Sequence, residues 1–134
     1  MSTSHTRCIL VVDDEDVHRM LIRRALENCL ENITLREAAS VTAAKSLLIE
    51  DFSSYKLAIL DLNLGQECGL SILELIRAKR DLSELPCLMI STSDLPQDIE
   101  KSYAAGCNAY LVKEDDPKLY RSNLLKAVQY FMRS

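Results

Sequence analysis

Four short apolar runs in this chain each stop abruptly at a polar side chain. Leu57-Ala58-Ile59-Leu60 runs into Asp61, and Ile9-Leu10-Val11-Val12 runs into Asp13 and Asp14. Cys87-Leu88-Met89-Ile90 runs into Ser91, and Ala109-Tyr110-Leu111-Val112 into Lys113. Four or five consecutive apolar residues suit a strand buried on both faces, as in a parallel sheet covered by helices on either side. The residue just past such a strand lies at the carboxyl edge of the sheet, where open α/β folds place their ligands. The runs therefore predict four buried strands that carry three carboxylates, a hydroxyl and an ammonium to one rim.

The segments between them read as helices. A helix is expected from about Asp16 to Leu30, capped by Asp14 or a neighbouring acid. Val17, Leu21 and Ala25 would face the sheet, and Arg19, Arg23, Arg24 and Glu27 the water. Ile33 to Ala38 alternates apolar with polar, the pattern of a half-exposed edge strand. Ser40 caps an expected helix from Val41 to Glu50, with Ala44, Leu47 and Leu48 inward. Leu62 to Cys68 and Gly69 form a tight loop, followed by a helix from Leu70 to about Lys79 that buries Ile72, Leu73 and Ile76. Asp94-Leu95-Pro96 reads as a cap and first-turn proline, and Gly106 as the left-handed cap that ends the same helix. Asp116-Pro117 opens the last helix, Lys118 to Met132. There Tyr120, Leu124, Ala127, Val128 and Phe131 share one face, while Leu119 and Tyr130 lie off it. Five strands alternating with five helices define an α/β fold with a mainly parallel sheet. If Asp13, Asp14 and Asp61 are to meet, right-handed crossovers leave the strand order 2-1-3-4-5.

A chain of 134 residues is long enough for one core and too short for two. The net charge of −4 supplies no basic stripe for nucleic acid. No apolar stretch reaches membrane-spanning length and the N-terminus lacks a signal-peptide core, so the expected location is the cytoplasm. Cys8, Cys29, Cys68, Cys87 and Cys107 are odd in number and contain no CxxC pair, which favours plain thiols over a metal or redox site. Cys68, in the loop after Asp61, is expected to be exposed. His5 and His18 are single histidines without ligand spacing and read as surface residues.

Three clustered carboxylates repel one another unless a cation joins them. Oxygen ligands on short acidic loops suit Mg²⁺, which completes its shell with water and phosphate oxygens. Lys113 supplies a compact positive charge, Ser91 a donor for an anionic oxygen, and a carboxylate is itself a competent nucleophile for phosphoryl transfer. No glycine-rich phosphate loop follows the first strand, which disfavours a nucleotide or flavin site. Two alternatives stay open: a Mg²⁺-dependent phosphatase with Asp61 as nucleophile, and a degenerate site on a constitutive binding module.

These motifs give the chain a resemblance to the receiver domains of two-component response regulators, the CheY-like family. The resemblance extends from Arg7 to Phe131. It rests on Leu10-Val11-Val12-Asp13-Asp14-Glu15, on Ile59-Leu60-Asp61-Leu62-Asn63 with Gly69 eight residues after the aspartate, on Met89-Ile90-Ser91, and on Ala105-Gly106 followed by Tyr110-Leu111-Val112-Lys113. It implies a flavodoxin-like, doubly wound three-layer fold with a core of about residues 7–132 and no output domain. By the same resemblance Asp61 is the phosphoacceptor, Asp13, Asp14, Asp61 and the backbone carbonyl of Asn63 hold Mg²⁺, and Ser91 and Lys113 contact the phosphoryl group. Tyr110 is the aromatic switch that follows Ser91, and Asn63 and Ser93 tune the phosphoryl lifetime. The stretch Ser91-Thr92-Ser93, with Asp98 to Tyr103 and Gly106 to Tyr110, further resembles the stand-alone regulators paired with phytochrome-type kinases. Two departures stand out. Leu64-Gly65 replaces the Met-Pro that many receivers carry, and Lys113-Glu114 replaces a lysine-proline pair, so the loop after the fifth strand is expected to take another path.

The implied partners are a histidine kinase or histidine phosphotransfer protein and a downstream protein target. With no output domain expected, a signal would leave through the surface of the fourth helix, fifth strand and fifth helix, where homodimerisation is also expected. Leu119 and Tyr130 are its candidate contacts.

Overall fold

The computed structural model describes residues 7–50 and 55–133. In chain order the elements are β1 (Arg7–Val12), α1 (Asp16–Cys29), β2 (Ile33–Ala38), α2 (Val41–Glu50), β3 (Tyr55–Asp61), β4 (Asn63–Leu64), β5 (Glu67–Cys68), α3 (Leu70–Ala78), β6 (Cys87–Ser91), α4 (Pro96–Ala105), β7 (Ala109–Val112) and α5 (Pro117–Phe131). Five strands form one parallel sheet in the order β2-β1-β3-β6-β7. With the small β4–β5 hairpin set aside, this is the expected 2-1-3-4-5. The fold is the flavodoxin-like α/β sandwich, and its order reverses between β1 and β3.

Period-two alternation of the strands sorts the core into two layers. Leu10, Val12, Ala58, Leu60 and Met89 pack with Ala44 and Leu48 of α2 and Ile72, Leu73 and Ile76 of α3. Ile9, Val11, Leu57, Ile59, Leu88 and Ile90 pack with Ile22 and Leu26 of α1 and Leu124 and Val128 of α5. Helices thus cover both faces, which is why these strands read as continuous apolar runs. β7 is the exception. It has a neighbour on one side only, and all four of its residues are half-buried rather than buried.

Several local signals take the expected form. Ser40 Oγ accepts the Ala43 N–H at 3.1 Å, and Asp116 caps α5 by accepting the Lys118 N–H at 3.0 Å. Gly106 ends α4 at φ 110°. The Leu62 to Cys68 loop closes as the β4–β5 hairpin, turning at Gly65 with φ 64°. All five cysteines are reduced: Cys8, Cys87 and Cys107 are buried, Cys29 and Cys68 exposed. Burial pushes the thiols of Cys87 and Cys107 up to about 11, so they remain protonated and inert.

Other expectations fail, for identifiable reasons. Val17 and Leu21 do not face the sheet; they are 61% and 48% exposed. The buried stripe of α1 is Ile22, Ala25 and Leu26, at i, i+3, i+4 spacing. Ala25 belongs to both periodic sets, so the pattern alone admitted either face. Arg19 and Arg23 do not simply face water. Their guanidiniums reach Glu37 at 3.4 and 2.7 Å and tie α1 to β2. The N-cap position of α1 is held by Glu15, the acid next to Asp14, without a side-chain cap bond, and that of α4 by Leu95, so Asp94 is not a cap. As expected where Glu114 and not proline follows Lys113, that peptide is trans, and no cis peptide occurs among the described residues. His5 lies outside the described residues.

Candidate functional site

Three strand termini on the carboxyl rim share one local device. Asp13 Oδ1 accepts the Glu15 N–H at 2.9 Å, Asp61 Oδ1 accepts the Asn63 N–H at 3.0 Å, and Ser91 Oγ accepts the Ser93 N–H at 3.0 Å. Each side chain bonds the backbone two residues ahead, the habit of Asp and Ser where a chain leaves a strand. This bond fixes one oxygen of each aspartate and leaves the other pointing over the sheet edge. Arg19 adds a clamp by donating to the Asp13 carbonyl at 2.6 Å.

The sheet brings these groups together from β1, β3, β6 and β7. Asp13 is fully buried and Asp61 is 5% exposed, whereas Asp14 is exposed. One carboxylate oxygen from each of Asp13, Asp14 and Asp61 lies within 4.8 Å of the others, a cluster able to hold a metal ion. Lys113 reaches in from the end of β7. Its Nζ donates to Asp61 Oδ2 at 2.9 Å and to Asp13 Oδ2 at 3.0 Å. Its backbone N–H donates to the Ser91 carbonyl at 2.7 Å, which locks the start of the loop to the sheet.

Burial raises the Asp61 carboxyl above the ordinary aspartate range, and the nearby Asp13 charge adds to this, even though Lys113 pulls the other way. For Lys113, burial would lower the ammonium, but its hydrogen bonds and charge interactions with Asp61 and then Asp13 raise it overall. Two buried carboxylates facing one ammonium therefore remain short of positive charge. The acids fit a hard, oxygen-coordinated divalent cation that would supply it.

Ser91 is fully buried, and Asn63 Nδ2 donates to its Oγ at 3.4 Å. The Tyr110 hydroxyl donates to the Ser93 carbonyl at 2.8 Å. Ser93 Oγ donates to Asp98 at 2.5 Å and accepts the Leu95 N–H at 3.2 Å. Asp14, Asp61, Asn63 and Lys113 line a depression of about 330 Å³ together with Glu15, His18, Gly65 and Thr92. All the expected site residues are thus near the rim, with Tyr110 one hydrogen bond behind it.

Sequence reading missed His18. It is not a plain surface residue: its Nδ1 lies 2.6 Å from Glu15 Oε2, 3.7 Å from Asp13 Oδ2 and 3.3 Å from Lys113 Nζ. The available signal was its position, one helical turn past Asp14 in a helix that starts at the rim. Tyr120 lies on the inward face, as expected, yet its hydroxyl is buried with no hydrogen-bond partner among the described residues.

A family model described as "Response regulator receiver domain" matches residues 9–128. Response regulator Rcp1 of Synechocystis sp. is 30% identical over 128 residues, covering 92% of this chain and 84% of that protein. Chemotaxis protein CheY-3 of Vibrio cholerae is 32% identical over 105 residues, 78% of each. The crystal structure of the Mn²⁺-bound form of Rcp1 superposes with a TM-score of 0.84 at 25% identity, covering 93% of this chain and 94% of that one.

Proposed function

Because the chain belongs to the response-regulator receiver family, we propose that it takes a phosphoryl group onto Asp61 in a Mg²⁺-dependent transfer from a phosphohistidine and signals by changing conformation. The donor would be a histidine kinase or a histidine phosphotransfer protein. The observation that carries this reading is the buried Asp61 carboxylate, 2.9 Å from Lys113 and clustered with Asp13 and Asp14. Asp13, Asp14, Asp61 and the Asn63 carbonyl would hold the ion, which would neutralise charge on the phosphoryl oxygens. An Asp61 carboxylate oxygen attacks phosphorus as the phosphorus–nitrogen bond of the donor breaks, leaving an acyl phosphate on Asp61 and a histidine on the donor. Lys113 and the Ser91 hydroxyl then bond the new phosphoryl oxygens. The Mn²⁺-bound form of the relative Rcp1 supports a divalent ion in this family.

The route outward follows hydrogen bonds. Ser91 Oγ holds the Ser93 N–H, and the Ser93 carbonyl holds the Tyr110 hydroxyl. Drawing Ser91 toward a phosphoryl group displaces the segment on which Tyr110 is anchored, so the α4–β7–α5 surface responds. Inverting the population needs the phosphoryl to favour the active state by a few kcal/mol, about 5 for a complete reversal. Asn63 and Ser93 flank the site and would tune the rate of hydrolysis. Leu119 and Tyr130, 47% and 61% exposed on α5, are the candidate contacts with a target or a second copy. Tyr130→Asp should then weaken phosphorylation-dependent association in light scattering.

The resemblance of Ser91 to Ser93, Asp98 to Tyr103 and Gly106 to Tyr110 to regulators of phytochrome-type kinases points to a kinase of that class. A single receiver domain acting in the cytoplasm fits these parts, and no helix among the described residues is long and apolar enough to cross a membrane. Incubation with a small phosphodonor and Mg²⁺, followed by intact mass, tests the chemistry. One added phosphoryl that Asp61→Asn abolishes supports the switch. Steady turnover of donor without an adduct would indicate a phosphatase, and no reaction a binding module.

A further inference from the structure

The acids at the rim hold more negative charge than one magnesium-type site uses, and an imidazole stands among them. We propose that Asp13, Glu15 and His18 form a second divalent-cation site, selective for imidazole-binding ions such as Zn²⁺ and Co²⁺ over Mg²⁺ and Mn²⁺, whose occupancy excludes Mg²⁺ from Asp13. One ligand atom from each residue lies within 4.8 Å of the other two. His18 Nδ1 is 2.6 Å from Glu15 Oε2 and 3.7 Å from Asp13 Oδ2. Ligands of a tetrahedral zinc ion with bonds of about 2.0 Å stand roughly 3.3 Å apart, so small side-chain rotations suffice to centre an ion.

The backbone prepares this arrangement. Glu15 and His18 stand at i, i+3 and so share a face of the first turn of α1. Asp13 Oδ1 is held by the Glu15 N–H, which leaves Oδ2 directed at His18 and Lys113. The side chains of Glu15 and His18 are 60% and 38% exposed, giving an ion an entry path and water for its remaining positions. Lys113 Nζ, 3.3 Å from His18 Nδ1, would withdraw to its other partner, Asp61, at 2.9 Å. Asp13, Asp14, Glu15 and Asp61 gather at this rim against Lys113 and, on the Asp13 carbonyl, Arg19, so the carboxylates still outnumber these two cations.

Ligand chemistry sets the selectivity. Mg²⁺ takes oxygen ligands and dehydrates reluctantly, whereas imidazole suits Zn²⁺, Co²⁺, Ni²⁺ and Cu²⁺. Asp13 belongs to both ligand sets and has one oxygen, Oδ2, turned toward them, where it accepts from Lys113, so the two ions compete for it. Zn²⁺ or Co²⁺ would therefore slow phosphorylation of Asp61, a consequence that rests on the receiver reading above; the binding itself does not.

The test uses the full chain carrying Cys29→Ser and Cys68→Ser, which removes the two exposed thiols as rival ligands. Calorimetric titration with Zn²⁺ should show one site that His18→Ala weakens by at least about tenfold while Mg²⁺ affinity and the circular dichroism spectrum stay unchanged. Asp61→Asn should abolish Mg²⁺ binding and leave Zn²⁺ binding in place. Added Zn²⁺ should raise the apparent Mg²⁺ Kd in the parent and not in His18→Ala. Equal Zn²⁺ affinity with and without His18, or loss of Zn²⁺ binding on Asp61→Asn, would overturn the proposal. Zn²⁺ binding at His18 in a protein that takes no Mg²⁺ would instead overturn the receiver chemistry and leave this site standing.

Discussion

Replacing Gly69 by alanine puts a methyl group where the backbone of β3 already is. A Cβ on Gly69 would lie 2.1 Å from the Asp61 carbonyl oxygen and 3.0 Å from its carbonyl carbon. The φ at this position is an ordinary −63°, so the glycine is needed for room and not for an unusual backbone. Its N–H also donates to the Leu62 carbonyl at 2.7 Å. Relief requires the Asp61–Leu62–Asn63 segment to move. Forcing a methyl group into a packed site costs roughly 1–3 kcal/mol, and loosening one buried hydrogen bond about 1 more. The expected loss is about 2–4 kcal/mol out of a total on the order of 5–15. At this length that corresponds to a Tm lower by about 10 °C. The same movement displaces the Asn63 carbonyl, so Mg²⁺ affinity should fall by about tenfold. Gly65→Ala is the matched control. Its φ is +64° but the nearest atom, Asp14 Oδ2, is 3.9 Å away, so it should cost only about 1–2 kcal/mol of backbone strain. Thermal unfolding and calorimetric Mg²⁺ titration of both variants decide the matter. A Gly69→Ala protein with parental Tm and Mg²⁺ affinity, or one less perturbed than Gly65→Ala, would refute the reasoning.

Three further outcomes follow from the charges and hydroxyls at the rim. Lys113→Met leaves buried Asp13 and Asp61 without their ammonium, so unfolding in a chelator should show a loss of about 3 kcal/mol, recovered in part by millimolar Mg²⁺. Asp61→Asn should stabilise the metal-free protein at neutral pH. The folded state holds the Asp61 proton more tightly than the unfolded chain, so the parent loses stability as pH rises from the ordinary aspartate value through the raised one. The variant should lack that decline, and urea midpoints across the acid range check it. Tyr120→Phe removes a buried hydroxyl that has no partner among the described residues, and Tm should rise by about 3–5 °C for a gain of about 1 kcal/mol.

How far the sequence could be read depended on how many elements each group needed. Asp13, Asp61, Ser91 and Lys113 were legible because each ends an apolar strand, and a parallel sheet gathers strand ends by construction. Ile72, Leu73 and Ile76 were legible because α3 has one apolar stripe. The buried face of α1 was not, since Ala25 completes two stripes and only the seating against β2 and α5 selects one. His18 was not, because a lone histidine one turn past Asp14 reads as surface until the fold seats the start of α1 against Asp13 and Lys113. That the Tyr120 hydroxyl lacks a partner among the described residues depends on packing depth, which periodicity does not encode. β7 read as buried because its four residues are apolar or aromatic, although the expected order 2-1-3-4-5 already set this strand at an edge of the sheet.

The central claim is that one divalent ion binds the oxygens of Asp13, Asp14 and Asp61. A crystal soaked in Mn²⁺ and measured for anomalous scattering addresses it most directly. The account predicts one strong peak bonded at about 2.2 Å to those carboxylates and the Asn63 carbonyl, with Lys113 still beside Asp61. An anomalous map with no peak on that rim at saturating Mn²⁺, or one bonded to other residues while Asp61 stays unligated, would contradict it.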